Sequence, residues 1–476
     1  MQVAMGSSPK AVAVGCLLAV IVVSGIIALI LAVVGVKDVY LPPGTKYGMV
    51  FDAGSSHTAL YIYQWPANKE NGTGIVSQAE ACTVPGPGIS SYAENPANAG
   101  ASLRACLDKA MTIIPAEQQR ETPTYLGATA GMRLLSTKAD LVFAEVSKTI
   151  QQYPVDFRGA RILTGNEEGS FGWITINYLL ETLVKFSFAG KWIRPQAAEV
   201  LGALDLGGAS TQITFQPSGT IEDNSTEVFF RLYGTNYSIY THSYLCYGRD
   251  QALKMLLVLQ AGMGYEENVT AAALYDSPCV PAPAAHDPSQ ILTVRGTGAP
   301  AECRNAVQKL FNFTACGANR TCGFNGVYQP PEHGQFFVRE PSLLFYLATK
   351  LALANCYLHC LSQWLSQLQA SFPQESHRRL HNYCPSAFYI LTLLHEGYKF
   401  DEQMWSNIHF RQKAANTDIG WTLGYMLNLT NMMPAEAPEQ VKGQQHGLWA
   451  AAIFFIVLTA AVALMAILVL CLWNPT

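Results

Sequence analysis

Two long apolar runs bracket the chain. Ala11 to Val36 and Leu448 to Trp473 are almost uncharged, and each exceeds the roughly 20 residues a helix needs to cross the hydrocarbon core of a bilayer. A cleaved signal peptide is the alternative for the first run. That run exceeds the usual apolar core of about 7–15 residues, with only Lys10 before it, so a retained span is the better reading. The pattern between the runs is different. Lys46 to Gly54 reads as a strand entering a turn, and "ALYIYQW" alternates like the returning strand. Ser102 to Ile114 and Lys138 to Gln151 carry helical periodicity. Thr122 to Gly131 and Ala160 to Gly165 read as strands, the apolar stretch after Gly169 as a buried helix, and Glu199 to Pro217 as strand, turn, strand. Beyond Thr220, cysteines, prolines and sequons thicken, which predicts a more loop-laden region.

One design occurs twice. "VFDAGSSHTALYIY" and "ALDLGGASTQITF" each run an apolar strand into Asp, then x-Gly, small residues and Ser, then a returning strand. Asp52 and Asp205 stand 153 residues apart, about one domain length, so two similar domains facing across a cleft are expected. Glycine turns expose successive N–H groups that form a concave anion site, and the Ser hydroxyls add donors. An Asp at the strand end repels phosphate but can hold a divalent cation, directly or through water. The pair of turns thus suits a di- or triphosphate. A plain polar hairpin tip is the bland alternative for either turn alone. No Gly-x4-Gly-Lys-Ser/Thr is present, so the chain is not a P-loop NTPase. "GNEEGSFGW" puts Glu167 and Glu168 at a helix start, where one carboxylate should face the cleft as a base and the other cap or meet solvent. Helix-dipole preference alone also explains acidic residues there.

Composition then fixes the setting. Among 476 residues only 13% are charged and the net charge is −4, too little of either sign for nucleic-acid binding. Asn71, Asn224, Asn236, Asn268, Asn312, Asn319 and Asn428 begin Asn-x-Ser/Thr sequons, all between the spans. Ten of the twelve cysteines lie there too, in no zinc-like spacing. Both signals favour an oxidising, glycosylating face. The expectation is a multi-pass protein of the plasma membrane with cytosolic tails at 1–10 and 474–476, spans at 11–36 and 448–473, and about 410 residues outside.

Taken together, the segments closely resemble the apyrase-conserved regions of the ectonucleoside triphosphate diphosphohydrolases. All five regions are present in order: "FDAGSSHT" at Phe51, "LGATAGMRLL" at Leu126, "ILTGNEEGSFGW" at Ile162, "LDLGGASTQ" at Leu204 and "DIGWTLGYMLNLT" at Asp418. The two spans point to the cell-surface branch, and "LLHEGYKF" narrows the resemblance within it. The resemblance implies an α/β, actin-like fold of two RNase-H-like lobes, lobe I at 46–164 and 412–440 and lobe II at 165–411. It implies hydrolysis of extracellular nucleoside tri- and diphosphates (ATP, ADP, UTP, UDP) with Ca2+ or Mg2+. It also implies nucleotides and the bilayer as partners, and leaves room for a homo-oligomer.

Carried over by motif, Glu168 looks like the base, with Ser210 and Gln212 positioning the water. Ser55, Ser56 and His57 resemble one phosphate loop and Gly208, Ala209 and Ser210 the other. Asp52 and Asp205 resemble the residues that hold the metal's water shell, with Thr129 and Trp421 nearby. Arg133 ties motifs together. For His57 a hairpin-tip hydrogen bonder, and for Trp421 a core residue, are the plainer alternatives. Arg249 and Arg379 match positions near the nucleobase, although lone arginines are usually solvated; Tyr346 is the candidate to stack on the base. The implied disulfides are Cys82–Cys106, Cys246–Cys279, Cys316–Cys322 and Cys360–Cys384, leaving Cys303 and Cys356 to pair with each other or stay free. Two segments look shortened against the family, near 257–270 and 337–356. The rival from another class is a membrane-anchored nucleotide-binding protein with weak or no turnover. An actin-fold kinase fits less well, given the Ser-x-Gln and the two spans.

Overall fold

A computed structural model describes residues 9–40, 44–67, 75–135, 138–183, 185–186, 192–193, 200–261, 300–316, 321–339, 383–411, 413–415, 417–431 and 440–472. It separates into two compact units, one of residues 1–44 and 436–476, the other of residues 45–435.

The first unit contains the apolar runs as helices α1 (Pro9–Val33) and α7 (His446–Leu472), both long and apolar enough to cross a membrane. They pack on each other. Ser24 Oγ and Thr459 Oγ1 share a hydrogen bond of 2.8 Å between the helices, which satisfies two hydroxyls where water is scarce. Gln444 Nε2 donates to the carbonyls of Leu31 and Val34 at the end of α1, the latter at 2.8 Å. Lys37–Tyr40 pairs antiparallel with Gln440–Gly443.

The second unit holds two sheets. The first has the order β3-β2-β1-β4-β5, built from β1 (Thr45–Ala53), β2 (Thr58–Pro66), β3 (Ser77–Thr83), β4 (Pro123–Ala128) and β5 (Asp156–Ile162). β1 to β3 form an antiparallel meander, while β4 pairs parallel to β1 and β5 parallel to β4. Side chains alternate across it: Met49, Phe51, Leu60 and Ile62 enter one core with helices α2 (Arg104–Ile113) and α3 (Lys138–Ile150), while Val50, Tyr61 and Tyr63 enter another. Both faces are covered, so the central strands are nearly continuously buried rather than alternately exposed.

The second sheet repeats that plan. Its order is β8-β9-β7-β6-β10-β11, from β6 (Gly202–Leu206), β7 (Ser210–Phe215), β8 (Glu227–Leu232), β9 (Thr235–Leu245), β10 (Phe336–Arg339) and β11 (Ile408–Phe410). Again antiparallel strands lead outward on one side of the Asp-bearing strand and parallel strands on the other. β1 and β6, with Asp52 and Asp205, occupy equivalent places. Past Thr220, where the sequence predicts loops, the chain first forms the β8–β9 hairpin.

Helix α4 (Gly165–Leu179) starts one turn earlier than its apolar pattern suggests, because Thr164 caps it. It packs on helix α6 (Trp421–Asn431) and on β6, β7 and β9. One apolar cluster joins β1 and β2 of the first sheet, α4, α6 and Tyr237 and Ile239 of β9. The span expected to Val36 stops at Val33; the helix expected over Ser102–Ile114 is found as Arg104–Ile113, preceded by a separate short helix at Pro96–Ser102.

Candidate active site

The two glycine turns join β1 to β2 and β6 to β7. In register, Asp52 faces Ala59 and Asp205 faces Gln212, so each aspartate sits at the equivalent step of its hairpin. The two turns lie close at Gly208: a Cβ there would lie 2.6 Å from Ser55 Oγ and 2.8 Å from Asp250 Oδ2, so a side chain would displace both. The carbonyls of Gly207 and Gly208 accept from the first amides of α5 (Arg249–Ala261): Arg249 N at 2.9 Å to Gly207, Asp250 N at 2.9 Å and Gln251 N at 3.0 Å to Gly208. No backbone carbonyl takes the amides of Gly54 to His57, or of Gly208 and Ala209, among the described residues. Two sets of N–H donors without a backbone acceptor thus sit on neighbouring turns, the first partly exposed and the second buried, a fit to phosphate oxygens. His57 lies exposed at the first tip, its Nδ1 3.1 Å from Ser56 Oγ.

The two glutamates part as their helix position requires. Glu167 closes a capping box: Thr164 Oγ1 accepts from Glu167 N at 3.2 Å, and Glu167 Oε2 accepts from Thr164 N at 2.9 Å. Arg161 adds an ion pair at 2.9 Å. Partial burial would raise the Glu167 carboxyl, but the Thr164 amide and Arg161 outweigh it and hold it below the usual range. Glu168, one residue on, turns inward and is 7% exposed. Its Oε2 accepts from Arg133 Nη2 at 2.6 Å. Burial nevertheless wins over that cation, and with repulsion from Asp205 and Asp52 it pushes the Glu168 carboxyl up to about 8. Such a value suits a group that takes a proton near neutral pH.

Around Glu168 the fourth motif closes in. Arg133 Nη2 also donates to Ser210 Oγ at 3.1 Å. Gln212 Nε2 donates to Ser210 Oγ at 2.7 Å and lies 3.3 Å from Glu168 Oε2. Arg133 thus ties the second, third and fourth motifs together. Two buried atoms here, Gln212 Oε1 and Arg133 Nε, find no hydrogen-bond partner.

The fifth motif arrives from the far end of the unit. Trp421 is buried, as a core residue would be, and its Nε1 donates to Asp52 Oδ1 at 2.9 Å. Thr175 of α4 anchors it by donating to Gly420 O at 2.6 Å and accepting from Gly424 N at 2.8 Å. Thr129 is buried beside the first turn, its amide donating to Ala53 O at 3.2 Å. Arg249 opens α5 next to the second turn, with Nε 3.1 Å from Asp250 Oδ1. Arg379 and Tyr346 lie outside the described residues.

Three residues absent from the sequence reading join the site. Asp250 stands by Gly208. Tyr398 OH shares a 2.9 Å hydrogen bond with Thr211 Oγ1, which donates to Asp205 O at 3.0 Å. Ser243 accepts from Gln212 Nε2 at 2.9 Å. Each reaches the site through strand register or packing, which periodicity does not report.

Of the implied disulfides, Cys82–Cys106 and Cys316–Cys322 are formed. Cys246 is disulfide-bonded, but Cys279, Cys360, Cys356 and the side chain of Cys384 fall outside the described residues. Cys303 carries a free thiol, so it does not pair with Cys356. Asn224, Asn236 and Asn312 are exposed, Asn428 is half-buried on α6, and Asn71, Asn268 and Asn319 are outside the described residues.

The model of the GDA1/CD39 (nucleoside phosphatase) family matches residues 39–444. The chain belongs to this family. Similar proteins include ectonucleoside triphosphate diphosphohydrolase 8 of Gallus gallus, 64% identical over 98% of this chain and 99% of the relative. The human protein of that name is 51% identical over the same shares, and human ectonucleoside triphosphate diphosphohydrolase 2 is 46% identical over 94% of each. The first two alignments run to 493 and 496 positions. Both exceed the 476 residues here, so each relative carries residues with no counterpart in this chain. Among solved structures, nucleoside triphosphate hydrolases from Neospora caninum superpose with a TM-score of 0.53 at 15% identity, covering 83% of this chain and 93% of theirs. That likeness concerns the fold, and the actin-like α/β fold expected from the sequence is the one found.

Proposed function

We propose that this chain hydrolyses nucleoside tri- and diphosphates, ATP, ADP, UTP and UDP, to monophosphates at the outer face of the plasma membrane. The observation that carries this is the buried Glu168, raised to about 8 and gathered with Ser210 and Gln212 beside two facing donor turns. The names of the relatives support the substrate class.

The residues divide the work as phosphoryl transfer requires, chiefly positioning and charge neutralisation. The amides of Gly54 to His57 and of Gly208 and Ala209, with the hydroxyls of Ser55 and Ser56, bind the phosphate oxygens from two sides. Ser210 and Gln212 hold a water, the buried Gln212 Oε1 being the acceptor left over for one of its protons. Glu168 takes the other proton as the water attacks the terminal phosphorus. Arg133 holds Glu168 in place, and Arg249, with Arg379 and Tyr346, serves the nucleobase end.

The donor set also fits a hard cation. Glu168, Asp52 and Asp205 lie close enough to feel one another, with Arg133 the cation against Glu168. Among the described residues no cluster of three metal-ligating side chains forms a ready cage, which fits a cation that keeps its waters. Asp52, oriented by Trp421, and Asp205 would hold Ca2+ or Mg2+ through that water shell, with Thr129 alongside. When bound, the cation supplies neutralisation of phosphate charge.

Lobe I at 46–164 and 412–440 and lobe II at 165–411 remain our division, supported by the repeated strand order. The sequons and the Cys82–Cys106 and Cys316–Cys322 bridges support an outward-facing middle with cytosolic tails. Membranes from cells expressing the full chain should release phosphate from ATP and ADP, and chelation of divalent cations should stop it. ATP binding without phosphate release would replace this reading with that of a nucleotide-binding protein.

A further inference from the structure

Ser243 lies on β9, outside all five motifs, yet it meets the centre of the site. In the β7–β9 register it stands directly opposite Gln212. Directly opposed residues share one face of the sheet, with Cβ atoms about 4.5–5.5 Å apart. Its hydroxyl accepts from Gln212 Nε2 at 2.9 Å. On its other side is the start of α4: a Cβ on Gly165 would lie 2.2 Å from Ser243 Cβ, 2.3 Å from Ser243 Oγ and 2.7 Å from Arg133 Nη1. Gly165 therefore leaves the space that Ser243 fills. The serine is wedged between the amide of Gln212 and the first turn of the helix that carries Glu168.

The hydrogen-bond count at Gln212 gives this placement a consequence. Nε2 has two protons. Three oxygens surround it: Ser210 Oγ at 2.7 Å, Ser243 Oγ at 2.9 Å and Glu168 Oε2 at 3.3 Å. The two hydroxyls are the nearer acceptors and take both protons. The lone pair of Glu168 that faces Gln212 then stays available, and Gln212 Oε1 is left buried with no partner. Without the Ser243 hydroxyl, the second proton has only Glu168 to turn to, at the expense of its basicity. The amide is also released to rotate, so that Oε1 no longer has one aim.

We propose that Ser243 is a positioning residue for hydrolysis: its hydroxyl fixes the Gln212 amide so that Nε2 is kept off Glu168 and Oε1 points at the attacking water. This rests on the reading that Gln212 and Glu168 orient and activate that water. Because Ser243 acts through the Gln212 amide, its loss falls on turnover and not on binding.

The test uses the full-length chain in membranes and four variants: Ser243→Ala, Ser243→Cys, Gln212→Ala and the double variant Ser243→Ala/Gln212→Ala. Ser243→Ala should lower kcat for ATP about tenfold, the size expected for one hydrogen bond of about 1.4 kcal/mol, with KM within about twofold. Ser243→Cys, nearly the same shape with a weak donor and acceptor, should fall between serine and alanine, and it keeps the question open to measurement if the alanine variant folds poorly. The double variant should be no slower than Gln212→Ala alone, because Ser243 acts only through Gln212. Additive losses, or an unimpaired Ser243→Ala beside an impaired Gln212→Ala, would overturn the role of Ser243 and leave the water-positioning reading standing. A Gln212→Ala variant at the wild-type rate would overturn both.

Discussion

Trp421 donates its indole N–H to Asp52 Oδ1 at 2.9 Å, although 369 positions separate them in the chain. This bond closes the site: it brings the last motif onto the first, and it fixes which way the Asp52 carboxylate faces. A hydrogen bond to a charged group is worth about 1.5–3 kcal/mol, or roughly ten- to a hundredfold. Trp421→Phe should therefore raise the divalent-cation concentration needed for half-maximal phosphate release by about tenfold or more. Titrating ATPase activity with Mg2+ and with Ca2+ checks this; an unchanged cation requirement would leave Trp421 as core alone.

Arg133 and Glu168 form a buried pair 2.6 Å apart. Removing Arg133 takes from the buried Glu168 carboxyl its cation and nearest donor, a loss of about 1–3 kcal/mol. Arg133→Met should be inactive and inactivate at lower temperature. Adding Glu168→Gln should recover much of the thermal stability and none of the activity. Heat-inactivation of nucleotide binding measures the first, phosphate release the second.

His242 offers a pH test away from the reaction. It lies on β9 with its ring against Tyr244, and burial pushes it down to about 4 despite the opposing charge of Asp223. Its folded value lies below its unfolded value of 6.5, so the neutral form stabilises the fold. That contribution is full above pH 6.5 and is lost as pH falls toward 4, by about 3 kcal/mol in total. His242→Phe should flatten the stability decline between pH 6.5 and 4, read as thermal midpoint against pH. An equal slope in both proteins would contradict the assignment.

Much of this site is written in local sequence. The paired Asp-x-Gly turns and a helix start that sends one of two glutamates inward follow from strand endings, glycines and helix position, and the turns stand at Asp52 and Asp205; that the inward one is Glu168 comes from resemblance, and the cap at Thr164 is not read from the sequence. Trp421 is different: nothing local says that a tryptophan 369 positions on meets Asp52, and only resemblance to a family pointed there. Ser243 was not legible either, because its role depends on the register of β9 against β7 and on Gly165 leaving room. Tyr398 reaches Thr211 from just after a one-turn π-helix, Leu393–Gly397, whose sequence carries no sign of that partner. β1 and β2 form where the sequence places a strand and its return, although with both sheet faces covered their burial does not alternate.

The central claim is that Glu168 is the base. Its most direct test is single-turnover hydrolysis of ATP by the full chain and by Glu168→Gln at saturating divalent cation. A general base contributes about 10²–10⁴ in rate, so Glu168→Gln should bind ATP normally and hydrolyse it at least about a hundredfold more slowly. Hydrolysis by Glu168→Gln at the wild-type rate would contradict the account.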